Sequence, residues 1–421
     1  MPRLVLYGNF GNCNLGNECT LSAAIGGLKE TAPDAELLCV CSDPENVSRD
    51  HGIPAVPIDT HLNLSSPEES APWVDRRSPA ARLLNLVTVK APWMSRTLRR
   101  ALRTLRKNDV LVLVGTGMFE YGSPAWLLSL LAWSLAARLH RGRIIILSMG
   151  AGPYDGRPER FLSNCVLRLA DYVSYRDQQS KDYVAGTGLD TSRHLVVPDL
   201  AFGLSTAHLR HSVRTSSGGD VVGIGVGDAS KFEDSAQYRS YLEDLCSFVL
   251  GLIEQGRSVH LIHGDGLYDR PGLTALQELL RTKGATTASR SLRVPHIASY
   301  EDLYRAIAEL DLVIVSRYHN MILALLLGKP VISLSYHWKF EAIMSRFGLG
   351  AYCRPLSSWD PLWLRDRFDA LIAEGDTLSR QIRAASDDFR KEVIGQYEAV
   401  DALIHTGSSP AFSLPDPERR T

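Results

Sequence analysis

The chain has 421 residues, of which 45% are hydrophobic and 22% charged, and 46 Lys and Arg face 47 Asp and Glu for a formal charge of −1. That composition suits a globular chain with a large core. It excludes a disordered chain and a general nucleic-acid binder, which would carry a basic excess. Seven cysteines in 421 residues are too sparse for a disulfide scaffold, and no CxxC pair suggests a zinc ribbon or a thioredoxin-like site.

Short apolar runs alternate with helical stretches along the chain. The predicted strands are LVLY (4–7), ELLCV (36–40), VLVLVG (110–115), IIILS (144–148), YVSY (172–175) and HLVV (194–197). A second series is VVGIGV (221–226), VHLIH (259–263), LVIVS (312–316) and VISLS (331–335). Runs rich in Val, Ile and Leu with little alternation are strands buried on both faces of a parallel sheet. Helices are predicted over 125–140, 159–170, 236–255, 273–283 and 319–328, and a long one over about 377–404. The alternation predicts an α/β fold with helices on both sides of each sheet.

The polar, Ser- and Gly-rich stretch 206–218 reads as a linker. It divides the chain into two Rossmann-like domains, 1–205 and 219–375. A helical segment 376–405 and a Pro-rich, disordered tail 406–421 follow. The opening MPRLVLYGNFGN lacks the apolar run of a signal peptide. The most apolar stretch, 125–139, is shorter than the ~20 residues of a membrane span. The expected compartment is therefore the cytoplasm. The insertion 60–107 is rich in Arg and carries Trp73 and Trp93. It reads either as a solvated helix face or as a patch meeting anionic lipid at the inner face of the membrane or a pyrophosphate-linked acceptor.

Ligands of such folds bind beyond the carboxyl ends of the strands. The strongest candidate there is SRYHNMILALLLGKPVISLSYHWK (316–339). Ser316 is expected to cap a helix, with Arg317 and His319 at its start, where free N–H groups and the dipole attract an anion. Arg adds a bidentate fork, and His can donate a proton near neutral pH. Lys339, after the next strand, is a second cation. The first loop, with Asn14, Gly16, Asn17 and then Glu18, can bring backbone N–H groups to a phosphate or sugar, although it lacks the GxGxxG spacing. Gly117 lies after the third strand, and Arg176 and Asp177 follow the fifth. Asp177 suits a helix cap at least as well as a catalyst. No metal-ligand cluster is visible.

Taken in order, GNFGNCNLGNE, VGTG, SMGAGP, YRDQQS, VVPDLAF and the block from Ser316 to Lys339 resemble the polysaccharide pyruvyl transferase family. The resemblance implies a glycosyltransferase B-like architecture, with two Rossmann-like domains whose sheets face a cleft. It implies transfer of the pyruvyl group of phosphoenolpyruvate to a sugar, free or lipid-linked, as a cyclic ketal. It gives Arg317, Arg176 and Lys339 to phosphoenolpyruvate, with Ser316, Asn14, Gly16, Asn17 and Gly117 lining the substrates. His319 is the expected acid, and Glu18 or Asp177 the expected base. The family's opening loop usually reads Gly-Asp-Glu where this chain has Gly16-Asn17-Glu18, and its glycine run is here only Gly115-Thr116-Gly117. No cofactor is implied beyond phosphoenolpyruvate as co-substrate, and the sequence sets no oligomeric state. Two other readings fit the residues: a nucleotide-sugar glycosyltransferase of the same architecture, and a non-catalytic glycan- or membrane-binding protein.

Overall fold

The computed structural model describes residues 3–12, 14–58, 91–120, 124–154, 156–205, 220–285 and 291–406. The expected linker 206–218, residues 60–90 of the basic insertion and the tail beyond 406 lie outside the described residues. The chain forms two compact units. The first comprises residues 1–12, Thr20–Leu200 and everything from Glu392 onward; the second comprises 13–19 and Ala201–Lys391.

The first unit is built on a seven-stranded sheet: β1 (Leu4–Tyr7), β2 (Leu37–Cys41), β3 (Ala55–Pro57), β4 (Val110–Val114), β5 (Arg143–Met149), β6 (Tyr172–Tyr175) and β7 (Leu195–Val196). The order is β3-β2-β1-β4-β5-β6-β7, and every pairing is parallel. The helices are α1 (Leu15–Thr31) from Thr20 onward, α2 (Pro44–His51), α3 (Ala91–Thr104), α4 (Pro124–Leu139), α5 (Arg157–Leu169) and α6 (Gln178–Ala185). Strands β1, β2 and β4 are buried along their whole length, as apolar runs without alternation demand. Tyr7, Leu113, Trp126, Trp133 and Ile146 belong to one core cluster.

The second unit carries a six-stranded parallel sheet: β8 (Val221–Gly225), β9 (Ser258–Ile262), β10 (Leu292–Arg293), β11 (Leu312–Val315), β12 (Val331–Ser335) and β13 (Cys353–Pro355). Its order is β10-β9-β8-β11-β12-β13. Its helices are α7 (Ser235–Glu254), α8 (Arg270–Thr282), α9 (Tyr300–Ala308), α10 (Tyr318–Leu326), α11 (Trp338–Arg346) and, as far as Lys391, α12 (Pro361–Thr406). Helix α10 is apolar nearly all round because it is buried nearly all round. Gly328, at φ 67°, ends its turn in the left-handed region. Lys329 then folds inward, 3% exposed, and its Nζ donates to the carbonyl oxygens of Ala308 at 3.0 Å and Leu310 at 2.5 Å.

The predicted α/β class with two Rossmann-like units is what the chain adopts. The structure adds strands β3, β10 and β13, which are too short to read as apolar runs. The expected segment 376–405 is part of a longer helix that starts at Pro361. The Asp360 carboxylate accepts from the N–H groups of Leu362 and Trp363, and Pro sits at the first helical position, where its missing N–H costs nothing. Among the described residues no helix is long and apolar enough to cross a membrane.

Candidate functional site

In each sheet the strand order reverses beside the first strand of its unit, between β1 and β4 and between β8 and β11. Loops leaving those strands open into the crevice where ligands of such folds bind. In the second unit the loop after β11 holds Ser316 and Arg317, and α10 begins at Tyr318. The expected cap is displaced by one residue: Arg317 is the N-cap, at φ −103° and ψ 131°, and makes no side-chain capping bond. Ser316 is still in the extended approach to the helix, 2% exposed, and its Oγ makes no hydrogen bond among the described residues.

Arg317 is held by carboxylates. Its Nε donates to Oδ1 of Asp269 at 2.6 Å, and its Nη2 reaches Oδ2 of Asp228 at 3.3 Å. The other oxygen of Asp269 accepts from the backbone N–H of Gly264 at 2.8 Å and of Asp265 at 3.0 Å. The guanidinium is thereby fixed to the β9 loop. Burial works against the charge of Arg317, but the Asp269 carboxylate outweighs it and holds its pKa above the ordinary value. Tyr336 is kept neutral, its pKa raised by burial.

His319 sits two residues further on and is only partly buried. Tyr318 meets it edge-on at 5.3 Å. Lys339, 8% exposed, places its Nζ 5.0 Å from the centre of the Tyr318 ring, a cation–π contact. His337 caps α11, its Nδ1 accepting from the Lys339 N–H at 3.3 Å. That bond requires a lone pair on Nδ1, so the proton of the neutral ring lies on Nε2.

The opening loop joins this cluster within the same unit. Asn14 and Asp265 form a β-bridge, the Asn14 amide donates to Asp265 Oδ2 at 3.2 Å, and the Leu15 N–H donates to the Gly264 carbonyl at 3.2 Å. Asn14 Oδ1 accepts from the Asn17 N–H at 3.2 Å, so Asn14 caps α1. Gly16 lies against His319 so closely that a Cβ would overlap the imidazole. Glu18 follows in the first turn of α1, 9% exposed. Ser316, Arg317, His319, Lys339, Asn14, Gly16, Asn17 and Glu18 are thus gathered in one unit.

Two residues that the sequence did not single out, Asp228 and Asn320, complete this site. Asn320 is fully buried, and neither atom of its amide makes a hydrogen bond among the described residues. It is wedged against Gly264, where a Cβ would overlap its Oδ1. A buried amide with unmet donors and acceptor at a strand-end crevice suits a polar ligand. His263, at the end of β9, is 8% exposed, and burial lowers its pKa.

Arg176, Asp177 and Gly117 belong to the first unit. Arg176 is 3% exposed and lies in a carboxylate nest. It pairs with Glu120, with Asp199 at 3.5 Å and with Asp177 at 3.8 Å. Gly117 makes the turn that aims Glu120, its carbonyl accepting from the Glu120 N–H at 3.1 Å. Asp177 caps α6, accepting from the Ser180 N–H at 2.6 Å. Among the described residues no group of three or more His, Cys, Asp or Glu side chains is placed to hold a metal ion.

Residues 14–337 match the sequence profile of a family described as polysaccharide pyruvyl transferase. No curated protein matches the chain at a significant level. Among solved structures, the chain is similar to a UDP-GlcNAc 2-epimerase from Neisseria meningitidis bound to UDP-GlcNAc, at 14% identity and a TM-score of 0.58, over 94% of this chain and 100% of that one. It is similar to a putative UDP-N-acetylglucosamine 2-epimerase from Listeria monocytogenes, at 12% identity and a TM-score of 0.62, over 98% and 99%. A glycosyltransferase from Rickettsia africae matches at 10% identity and a TM-score of 0.54, over 97% and 99%. At these identities the likeness is one of fold, the glycosyltransferase B-like fold.

Proposed function

This chain belongs to the polysaccharide pyruvyl transferase family, a family of transferases, and from that premise we propose that it moves the pyruvyl group of phosphoenolpyruvate onto a sugar as a cyclic ketal and releases phosphate. The observation that carries this reading is the convergence of Arg317, His319 and Lys339 on the start of α10, at the point where the strand order reverses. Phosphoenolpyruvate brings a phosphate and a carboxylate on adjacent positions. A helix N-terminus flanked by a guanidinium and an ammonium answers both.

In the proposed reaction His319 gives a proton to the methylene carbon, leaving a cation-like centre at C2. A sugar hydroxyl attacks that carbon, and Glu18 takes the hydroxyl proton. The C2–O bond to phosphate then breaks, a second hydroxyl closes the ketal, and its proton leaves with the phosphate. Asp269 and Asp228 keep the Arg317 fork in one orientation, which makes them positioning residues. The reaction uses no cofactor beyond the co-substrate, and the acceptor is a sugar of a glycan or of a lipid-linked precursor.

The test is phosphate release from phosphoenolpyruvate across galactose-, glucose- and mannosamine-type acceptors, with the product weighed by mass spectrometry. The expected product is heavier than the acceptor by one ketal-linked pyruvate. Absence of phosphate with every acceptor, together with binding of a nucleotide sugar, overturns the reading in favour of glycosyl transfer. Full activity in His319→Ala would remove His319 as the acid.

A further inference from the structure

One face of the first unit has a composition unlike the rest of the molecule. Segments 91–107, 124–143 and 157–169 carry six, three and three Lys or Arg, against a single acidic residue, Glu159. That residue is buried; Asp171, just beyond the third segment, is exposed and pairs with Arg138 at 3.0 Å, which leaves the other arginines in excess. The chain as a whole has a charge of −1, and the excess is therefore local.

The segments form one layer. Right-handed crossovers put α3, α4 and α5 on the same side of the sheet, because each is followed by a strand further along in the same direction. His140, just beyond α4, has its Nε2 3.1 Å from the Leu102 carbonyl of α3. Arg138 of α4 donates to the Leu169 carbonyl at the end of α5. The inner sides of these helices supply Ala101, Leu130, Trp133 and Val166 to the core. Their outer sides carry exposed Arg96, Arg99, Arg103, Arg157, Arg160 and Arg168.

The same outer surface bears apolar side chains. Leu135, Leu139 and Phe161 are 36%, 69% and 65% exposed. Among the described residues these are the large exposed hydrophobics of the first unit; the others, Leu267, Tyr268 and Leu362, belong to the second. Exposed arginines with interspersed Leu and Phe match a surface whose headgroups are anionic and whose interior is apolar. We propose that the α3–α4–α5 face seats the protein on an anionic lipid bilayer. Arginine heads meet the phosphates while Leu139 and Phe161 enter the headgroup boundary.

Co-sedimentation of the full chain with vesicles tests this. The chain is expected to bind phosphatidylcholine vesicles containing about 30% phosphatidylglycerol at least tenfold more tightly than pure phosphatidylcholine, and to be released by salt. Arg99→Gln, Arg103→Gln and Arg160→Gln combined should weaken binding about 100-fold, at roughly fivefold per charge. Leu139→Ser with Phe161→Ser should weaken it about tenfold at unchanged charge. Circular dichroism reports whether each variant is folded, and phosphate release with a soluble acceptor should stay at the parent rate. Equal binding to both vesicle types overturns the proposal, as does undiminished binding by the folded arginine variant. Binding to a soluble anionic polysaccharide without binding to vesicles also overturns it and makes the face a glycan surface. The binding outcomes are independent of whether the transfer reaction is correct.

Discussion

Gly16 shows how narrowly one residue is specified. A single added methyl would overlap the ring of His319. Gly16→Ala is expected to leave the fold intact and to cut phosphate release about 100-fold, the scale on which a displacement of about 1 Å degrades a catalytic geometry. Steady-state rates beside a matched circular dichroism spectrum check this. Histidine burial makes a second prediction. His263 and His194 both have pKa values lowered from the ordinary 6.5, chiefly by burial. The folded protein therefore binds fewer protons than the unfolded chain as pH falls below about 6.5. Stability is fully present above that pH and declines as the pH falls toward the folded-state values. Melting temperature should drop between pH 7 and pH 5.5, and His263→Gln should flatten the slope. Arg317, His319 and Lys339 were legible because each follows an apolar run that could only be a buried strand. Asp228 and Asn320 were not. Asp228 meets Arg317 across 89 positions of sequence, and Asn320 lies in an apolar helical pattern that hides its amide. Glu120 was equally hidden, because its partner Arg176 is reached through the folded sheet alone.

At the scale of elements, apolar runs revealed the long central strands and the edge strand β7 but missed β3, β10 and β13. β10 has two residues and β3 and β13 three; pairing with a neighbour creates them, more than their own composition. Helix α12 hid its true start because Gly375 interrupts its helical pattern. Lys329 joins two elements. It ties the turn after α10 to the carbonyls at and after the end of α9. Lys329→Met keeps the aliphatic stem and removes the donor from two buried carbonyls. The expected cost is about 1–3 kcal/mol, read as a lower urea midpoint with an unchanged slope.

Across the whole molecule the two units repeat one device with different emphasis. Each places an arginine after a strand and surrounds it with carboxylates: Arg317 with Asp269 and Asp228, Arg176 with Glu120, Asp199 and Asp177. The Arg317 side chain is 16% exposed and that of Arg176 is 3%. The first can meet a ligand at its open side, whereas the second is enclosed. Arg176→Met should therefore destabilise the protein by about 3–5 kcal/mol, because it strands buried negative charge. Arg317→Met should act mainly on the affinity for phosphoenolpyruvate. Urea unfolding of both variants beside their Michaelis constants distinguishes the two outcomes, and equal stability losses would contradict the assignment.

The last helix gives the chain an order of assembly. Gln396 is fully buried; its amide accepts from the Ser174 hydroxyl and donates to Ser148 Oγ at 3.1 Å, beside strands β5 and β6. Tyr397 donates to the Ala23 carbonyl at 3.4 Å and fills the space over Gly27. Strands made earlier in synthesis thus wait for residues made 222 positions later. A nascent chain has Ser148 and Ser174 outside the ribosome for some 220 residues before Gln396 arrives to satisfy them. At roughly 5–20 residues per second that is an interval of about 10–45 seconds. During it Ser148 and Ser174 lack the Gln396 amide that bonds them in the folded unit.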